Sequence, residues 1–203
     1  MEIPVGELRA SLVYQHLIRI ITPRPIAWVS TISSAGLTNL APFSFFTGVG
    51  SRPPSLLFCP ANRVDGSPKD TLRNIRENGQ FVVNVVSEAL AEPMNATAAE
   101  LPEQESEFEV FGVTPVPSVN VRPPRVAASP VSIECELMQE LNLDGGPGGA
   151  NIVVGRILHL AISDAVLNAE GFADPDQLQL IGRMGGTEYT RTRDRFEIRR
   201  DRQ

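Results

Sequence analysis

Two neighbouring segments decide the fold: Pro23 to Phe46, PRPIAWVSTISSAGLTNLAPFSFF, and Ser67 to Val86, SPKDTLRNIRENGQFVVNVV. The first reads as a β-hairpin, with a strand over Ala27 to Ile32, a turn at Ser33-Ser34-Ala35-Gly36 and a return strand over Leu37 to Phe46. A further strand is expected over Ser55 to Cys59, after the break at Arg52-Pro53-Pro54. In the second segment Ser67 reads as a helix N-cap, with Pro68 at the first helical position and Asp70 three residues on, a variant of the capping box. Leu72 and Ile75 continue that helix at three-residue spacing, and Asn78-Gly79 stops it. Phe81 to Val86 then reads as a strongly apolar, central strand.

Outward from this region the pattern stays β-rich, with short Val-, Ile- and Phe-containing runs punctuated by Gly and Pro. Glu88 to Ala99 is Ala-rich and reads as helix interrupted by Pro93. From Phe108 to Arg125 prolines recur too often for a regular ladder, because proline lacks the N–H. An extended arm over the surface, or over a partner subunit, is expected there. Val131, Ile133, Cys135 and Leu137 alternate with polar residues, as in a half-buried strand. Asp144 to Gly149 reads as a hairpin loop leading into a long strand over Ile152 to Ile162. Asp174 with Pro175 opens a short helix. Without repeats or a linker, residues 1–203 read as one domain, within the roughly 200–250 residues that single β-barrel domains reach.

Composition narrows the function classes. A net charge of −6 argues against nucleic-acid binding, which needs a positive footprint. No run approaches the roughly 18 apolar residues of a membrane span, and the N-terminus lacks a signal peptide's basic and apolar regions, so a cytoplasmic location is expected. Cys59 and Cys135 are too few and too far apart for a disulfide framework or zinc site, and read as reduced packing residues. Acidic residues gather in Glu100 to Glu109 and arginines in Arg183 to Arg202. Arg191, Arg193 and Arg195 would share a face on a strand, either as an anion-attracting surface or as a solvated tail.

Chemistry-bearing residues converge on the opening region. A helix N-terminus presents unpaired N–H groups and partial positive charge, which suits an anion. Lys69, the only lysine, and Thr71 lie there and can add charge-assisted hydrogen bonds. The bland alternative is a capped helix with a solvated lysine. Ser30, Thr31, Asn39 and Ser44 make the hairpin unusually polar. Ser30 and Thr31 point to opposite faces of an ideal strand, and Pro42 implies an edge or bulge that leaves backbone groups free for a heterocycle. Trp28, Phe43, Phe45 and Phe46 read either as a wall for a planar ring or as core. His16 and His159 have no metal-like partners, and Glu134 and Glu136 read as a solvated strand face. Together these residues point to an aromatic cofactor that carries a phosphate.

The motifs P-R-P-I-A-W-V-S-T, T-N-L-A-P-F-S and K-D-T-L-R-N-I resemble those of the flavin reductase-like, FMN-binding split-barrel family. Ser106 to Glu109, Pro123 to Val126, Pro147 to Asn151 and Arg183 to Gly186 with Tyr189 resemble its longer, flavoredoxin-like branch. The resemblance implies a mainly β protein, an FMN-binding split β-barrel with a few peripheral helices, usually homodimeric. It implies FMN contacts from Ser30, Thr31, Asn39, Ala41, Ser44, Lys69 and Thr71, with Arg24 and Arg183 as further candidates. The activity it implies is NAD(P)H-dependent flavin oxidoreduction toward free flavin, a partner monooxygenase or a small electron acceptor. Alternatives are a flavoprotein oxygenase or nitroreductase with its own organic substrate, an FMN electron carrier, or a barrel holding deazaflavin or haem. Gly155-Arg156 departs from the family pattern, where an acidic residue commonly follows the glycine.

Overall fold

The computed structural model describes residues 1–199. Eleven strands are β1 (Ala27–Ile32), β2 (Thr38–Phe43), β3 (Phe46–Ser51), β4 (Pro54–Phe58), β5 (Gln80–Val85), β6 (Pro115–Val116), β7 (Arg125–Val126), β8 (Val131–Asn142), β9 (Asn151–Ile162), β10 (Ile181–Arg183) and β11 (Tyr189–Arg191). The α-helices are α1 (Ala10–Ile20), α2 (Asp70–Asn78), α3 (Ala91–Ala96), α4 (Glu107–Val110) and α5 (Pro175–Leu178).

Seven strands form one antiparallel sheet in the order β2-β1-β5-β8-β9-β4-β3. Its two edges, β2 and β3, are consecutive in the chain and separated only by Ser44 and Phe45. Three residue steps span at most about 11 Å, so the sheet must curl until its edges are neighbours. No ladder joins them. The result is a split β-barrel, and the expected return strand over 37–46 is therefore two strands on opposite edges. Pro42 sits on β2 opposite Trp28, where an edge position tolerates its missing N–H.

Strand alternation sorts β1 between two cores. Ala27 and Val29 face the barrel interior with Phe43, Phe58, Phe81 and Val153, and Leu72 and Ile75 of α2 plug one end. Phe58 lies 5.1 Å from Phe43 and 5.5 Å from Phe81, ring centre to ring centre. Trp28 faces the other way, fully enclosed with Leu40, Met94 and Phe108, and its Nε1 donates to Thr97 Oγ1 at 2.8 Å. It is core, not a wall of an open site. Gly155 on β9 passes so close to Phe81 that a Cβ there would lie 2.3 Å from the ring, which explains the small residue irrespective of its neighbour Arg156.

The Pro-rich segment is not wholly extended: it begins in α4, then lies on the protein's own sheet, where β6 and β7 pair. Glu134, expected on a solvated face, is fully buried beneath this arm and accepts from the N–H groups of Val119 (2.9 Å) and Asn120 (2.6 Å). A buried carboxylate needs such donors, and they come from a segment the local pattern of β8 does not reveal. The arginine-rich end is also used internally. Arg191 and Arg193 pair with Glu88 and Arg195 with Asp176, so they do not form a strand face; Arg200 and Arg202 lie outside the described residues. Asp174 caps α5 as expected, accepting from Asp176 N–H at 2.8 Å.

Candidate functional site

Helix α2 begins two residues later than its sequence suggests. Ser67 does not cap it: both its N–H (2.8 Å) and its hydroxyl (2.6 Å) donate to Asp65 Oδ1. That local turn competes for the hydroxyl. Lys69 occupies the N-cap position in extended conformation, and no side chain caps the helix. Its first-turn N–H groups thus lack intrahelical partners. The far end closes as expected, with Gly79 left-handed at φ 68° donating to Ile75 O.

Side chains from the hairpin tie directly to this helix. Asn39 Nδ2 donates to Thr71 Oγ1 at 2.9 Å, and Asn74 Nδ2 to Thr31 Oγ1 at 3.0 Å. Asn74 Oδ1 is the one buried side-chain polar atom without a partner among the described residues. Asp70 is clasped between Arg63, at 2.5 Å, and Arg73. Lys69 makes no ion pair among the described residues.

A cleft opens over this helix end, with Asn39, Ala41 and Pro42 on one side and Lys69 and Thr71 at its base. The opposite wall is the segment Thr97 to Leu101. Glu107 also lines it, accepting from Leu40 N–H at 2.9 Å. Burial pushes the Glu107 carboxyl above its ordinary range.

Pro42 and Ala98 also border a second cleft, of about 240 Å³, containing Ser44, Arg183, Tyr14 and Tyr189. Arg24 lies behind it. This guanidinium is only 4 % exposed and donates to Ile18 O (2.5 Å), Ile21 O (2.8 Å), Met184 O (2.9 Å) and Ser44 Oγ (3.3 Å). It thereby caps the end of α1 and holds Ser44 in place.

The structure thus groups Asn39, Ala41, Lys69 and Thr71 around one cleft and Ser44 and Arg183 around its neighbour. Ser30 and Thr31 are fully buried behind the hairpin. The Ser30 hydroxyl donates to Pro124 O, pinning the arm, and Thr31 serves Asn74. Arg63, Glu107, Thr97 and Tyr14 were absent from the sequence-derived site. Glu107, Thr97 and Tyr14 reach it from distant segments, and only Arg63, close before Lys69 in the chain, offered a local signal. Both cysteines are free, and burial raises both thiols, Cys135 to about 12. Neither is poised as a nucleophile. Among the described residues no three His, Cys, Asp or Glu side chains gather as a metal site, and no helix is long and apolar enough to cross a membrane.

Residues 19–183 match the family described as flavin reductase like domain. An uncharacterised protein of Deinococcus radiodurans is 43% identical over 92% of this chain and 84% of its own length. Among solved structures, nitrilotriacetate monooxygenase component B from Bacillus cereus superposes with a TM-score of 0.92 at 30% identity, covering 98% of both chains. The 2-nitrobenzoate 2-nitroreductase of Pseudomonas fluorescens gives 0.87 at 33% identity, covering 98% of this chain and 95% of that one.

Proposed function

The chain belongs to the flavin reductase like domain family, and from that premise we propose that it is an FMN-binding, NAD(P)H-dependent oxidoreductase of one domain. The net reaction moves a hydride equivalent and a proton from NAD(P)H and solvent to free flavin or another small acceptor. The observation that carries the reading is the uncapped start of α2 with Lys69 and Thr71 beside it, opening into a cleft that shares Pro42 and Ala98 with a second cleft lined by two tyrosines. That donor set fits a phosphate monoester, and the adjoining cleft fits a planar ring.

In this reading Lys69, Thr71 and the first-turn N–H groups hold the phosphate. Asn39 is oriented by Thr71, and Ala41 lets the ligand approach the open strand edge. Ser44, fixed by Arg24, offers a hydroxyl near the ring. Bound FMN supplies the hydride and electron chemistry, while the protein supplies position and electrostatics. Ser30 and Thr31 contribute through their backbone and by bracing the hairpin, since their hydroxyls are engaged internally.

We place the protein in the cytoplasm, where reduced nicotinamide nucleotides are available, and assign it a homodimeric state. Exposed Leu12, Leu17 and Ile20 on α1 and Leu158, Leu160 and Ile162 on β9 support self-association. The likeness to a protein named monooxygenase component B supports delivery of reduced flavin to an oxygenase partner. The likeness to a nitroreductase, together with the second cleft, favours a second reading, reduction of an organic substrate at the protein itself.

Anaerobic mixing of FMN-loaded protein with NADH and with NADPH tests the proposal. Bleaching of the flavin by either is the expected result. Failure of both would leave only an electron carrier, and protein that retains no flavin after gel filtration would remove the cofactor itself.

A further inference from the structure

The loop from Met184 to Glu188, between β10 and β11, gathers three arginines. Arg24 Nη2 donates to Met184 O at 2.9 Å and Arg183 Nη2 to Gly186 O at 2.5 Å. Arg19, in the last turn of α1, crosses Gly185 so closely that a Cβ there would lie 2.5 Å from its Cγ. Any side chain at Gly185 would push this arginine off the loop. Arg24 and Arg183 hold the loop and border the flavin cleft, but Arg19 serves neither purpose. Its Nη1 donates to the Gln15 carbonyl at 2.9 Å and to the Gln15 side chain, which steadies the guanidinium beside the loop. Its Nε and Nη2 have no partner among the described residues.

The loop's backbone adds donors of its own. Met184 N–H reaches Glu188 O at 3.0 Å and Glu188 N–H reaches Gly185 O at 3.3 Å, closing a tight turn in which Gly186 is left-handed at φ 61°. The three N–H groups between, those of Gly185, Gly186 and Thr187, have no partner among the described residues. Successive N–H groups in such a turn form a concavity for an anion. They border a cleft of about 370 Å³ that Arg19, Thr22 and Glu188 also line, within the roughly 300–1,000 Å³ of ligand pockets. A guanidinium fork, a hydroxyl and backbone N–H groups match phosphate oxygens. Glu188 disfavours a bare anion but can accept from sugar hydroxyls, as an acidic residue does at the ribose of a dinucleotide. Arg183 lines the ring cleft and its chain neighbour Met184 lines this one, so a ligand seated on the loop has the flavin cleft beside it.

The geometry points to Gly185 to Thr187, with Arg19, as the seat for the diphosphate of a reduced nicotinamide dinucleotide whose nicotinamide reaches into the flavin cleft. The inference rests on the flavin reading for the nicotinamide end alone. Recognition of diphosphate and ribose belongs to this loop and is separate from the FMN phosphate donors at Lys69.

Calorimetric titration of FMN-loaded protein with ADP-ribose, which carries the diphosphate and both sugars but no nicotinamide, tests the seat. Adenosine and inorganic pyrophosphate serve as comparison probes, and each is expected to bind at least about tenfold more weakly, the worth of a charge-assisted hydrogen bond. That comparison needs no variant. Arg19→Gln should weaken ADP-ribose at least about tenfold while FMN affinity stays within about twofold. In anaerobic mixing the same variant should be reduced at least about tenfold more slowly by subsaturating NADH, yet at an unchanged rate by benzyl dihydronicotinamide, which has no diphosphate. Adenosine or pyrophosphate binding as tightly as ADP-ribose, unchanged ADP-ribose affinity in Arg19→Gln, or an equal slowing with both reductants would overturn the seat. So would displacement of ADP-ribose by excess FMN, which would give the loop to a second flavin. Flavin-free protein separates the two claims: ADP-ribose binding without any FMN binding retains the seat and rejects the flavin reading.

Discussion

The Lys69 cleft and the neighbouring Arg183 cleft present their cations in opposite ways. At the first, a compact ammonium stands at an uncapped helix start, and the nearby Asp70 is already neutralised by Arg63 and Arg73. At the second, two guanidiniums share the work unequally: Arg24 is consumed by structure, while Arg183 keeps donors to spare. The lesson is that the partners a side chain finds separate a group that builds the fold from one that keeps free donors, even when both are arginine.

The sharpest way to break that contrast is to remove each arginine in turn. Arg24→Met should lower unfolding free energy by about 3 kcal/mol, since buried carbonyls lose a charged donor. Arg183→Met should change it by no more than about 0.5 kcal/mol. Equal losses in denaturant titrations would erase the distinction between the two residues. At the other end Lys69→Ala should weaken FMN by roughly ten- to hundredfold, in line with about 1.5–3 kcal/mol for a charged hydrogen bond, while leaving the unfolding midpoint nearly unchanged. A large stability loss instead would make Lys69 a structural residue like Arg24.

Thr71→Val should have a mixed effect. Asn39 loses its buried acceptor, so a loss of about 1 kcal/mol in stability is expected together with weaker FMN binding. Retained flavin affinity would assign Thr71 to bracing alone.

The smallest effect concerns Glu107. Its pKa is raised in the folded state, chiefly by burial, from a reference of 4.5. Its stability contribution is therefore present at lower pH and is lost as pH rises through the folded value. Glu107→Gln, which keeps an acceptor for Leu40 N–H, should flatten the fall in stability just above pH 4.5. Superimposable pH profiles for the two proteins would count against a raised carboxyl.

Much of this architecture was legible in local pattern, and the exceptions share a cause. β1, its turn, α2's Gly79 stop and the Asp174 cap depend on neighbours within a few positions, and they read correctly. The extended β2 failed because Ser44 and Phe45 carry the chain between sheet edges, a consequence of closure that no local rule encodes. Ser67 failed because Asp65 claimed its hydroxyl. Glu134 failed because the arm covers the face it was expected to expose, and Trp28 was ambiguous until Thr97 covered it. Residue type and position singled out Asn39, Lys69 and Thr71, whereas Ala41, Arg24 and Arg183 came from the motif resemblance alone. The resemblance could not distinguish Arg24 from Arg183, because the carbonyl of Met184 that helps settle Arg24 lies 160 residues away.

The most direct test of the central claim compares FMN with riboflavin, which lacks the phosphate, by quenching of flavin fluorescence on titration with the protein. The account predicts that FMN binds at least about tenfold more tightly, the worth of a charge-assisted contact, and that the gap narrows in Lys69→Ala. Equal affinities in the unaltered protein, or binding of neither flavin, would contradict it.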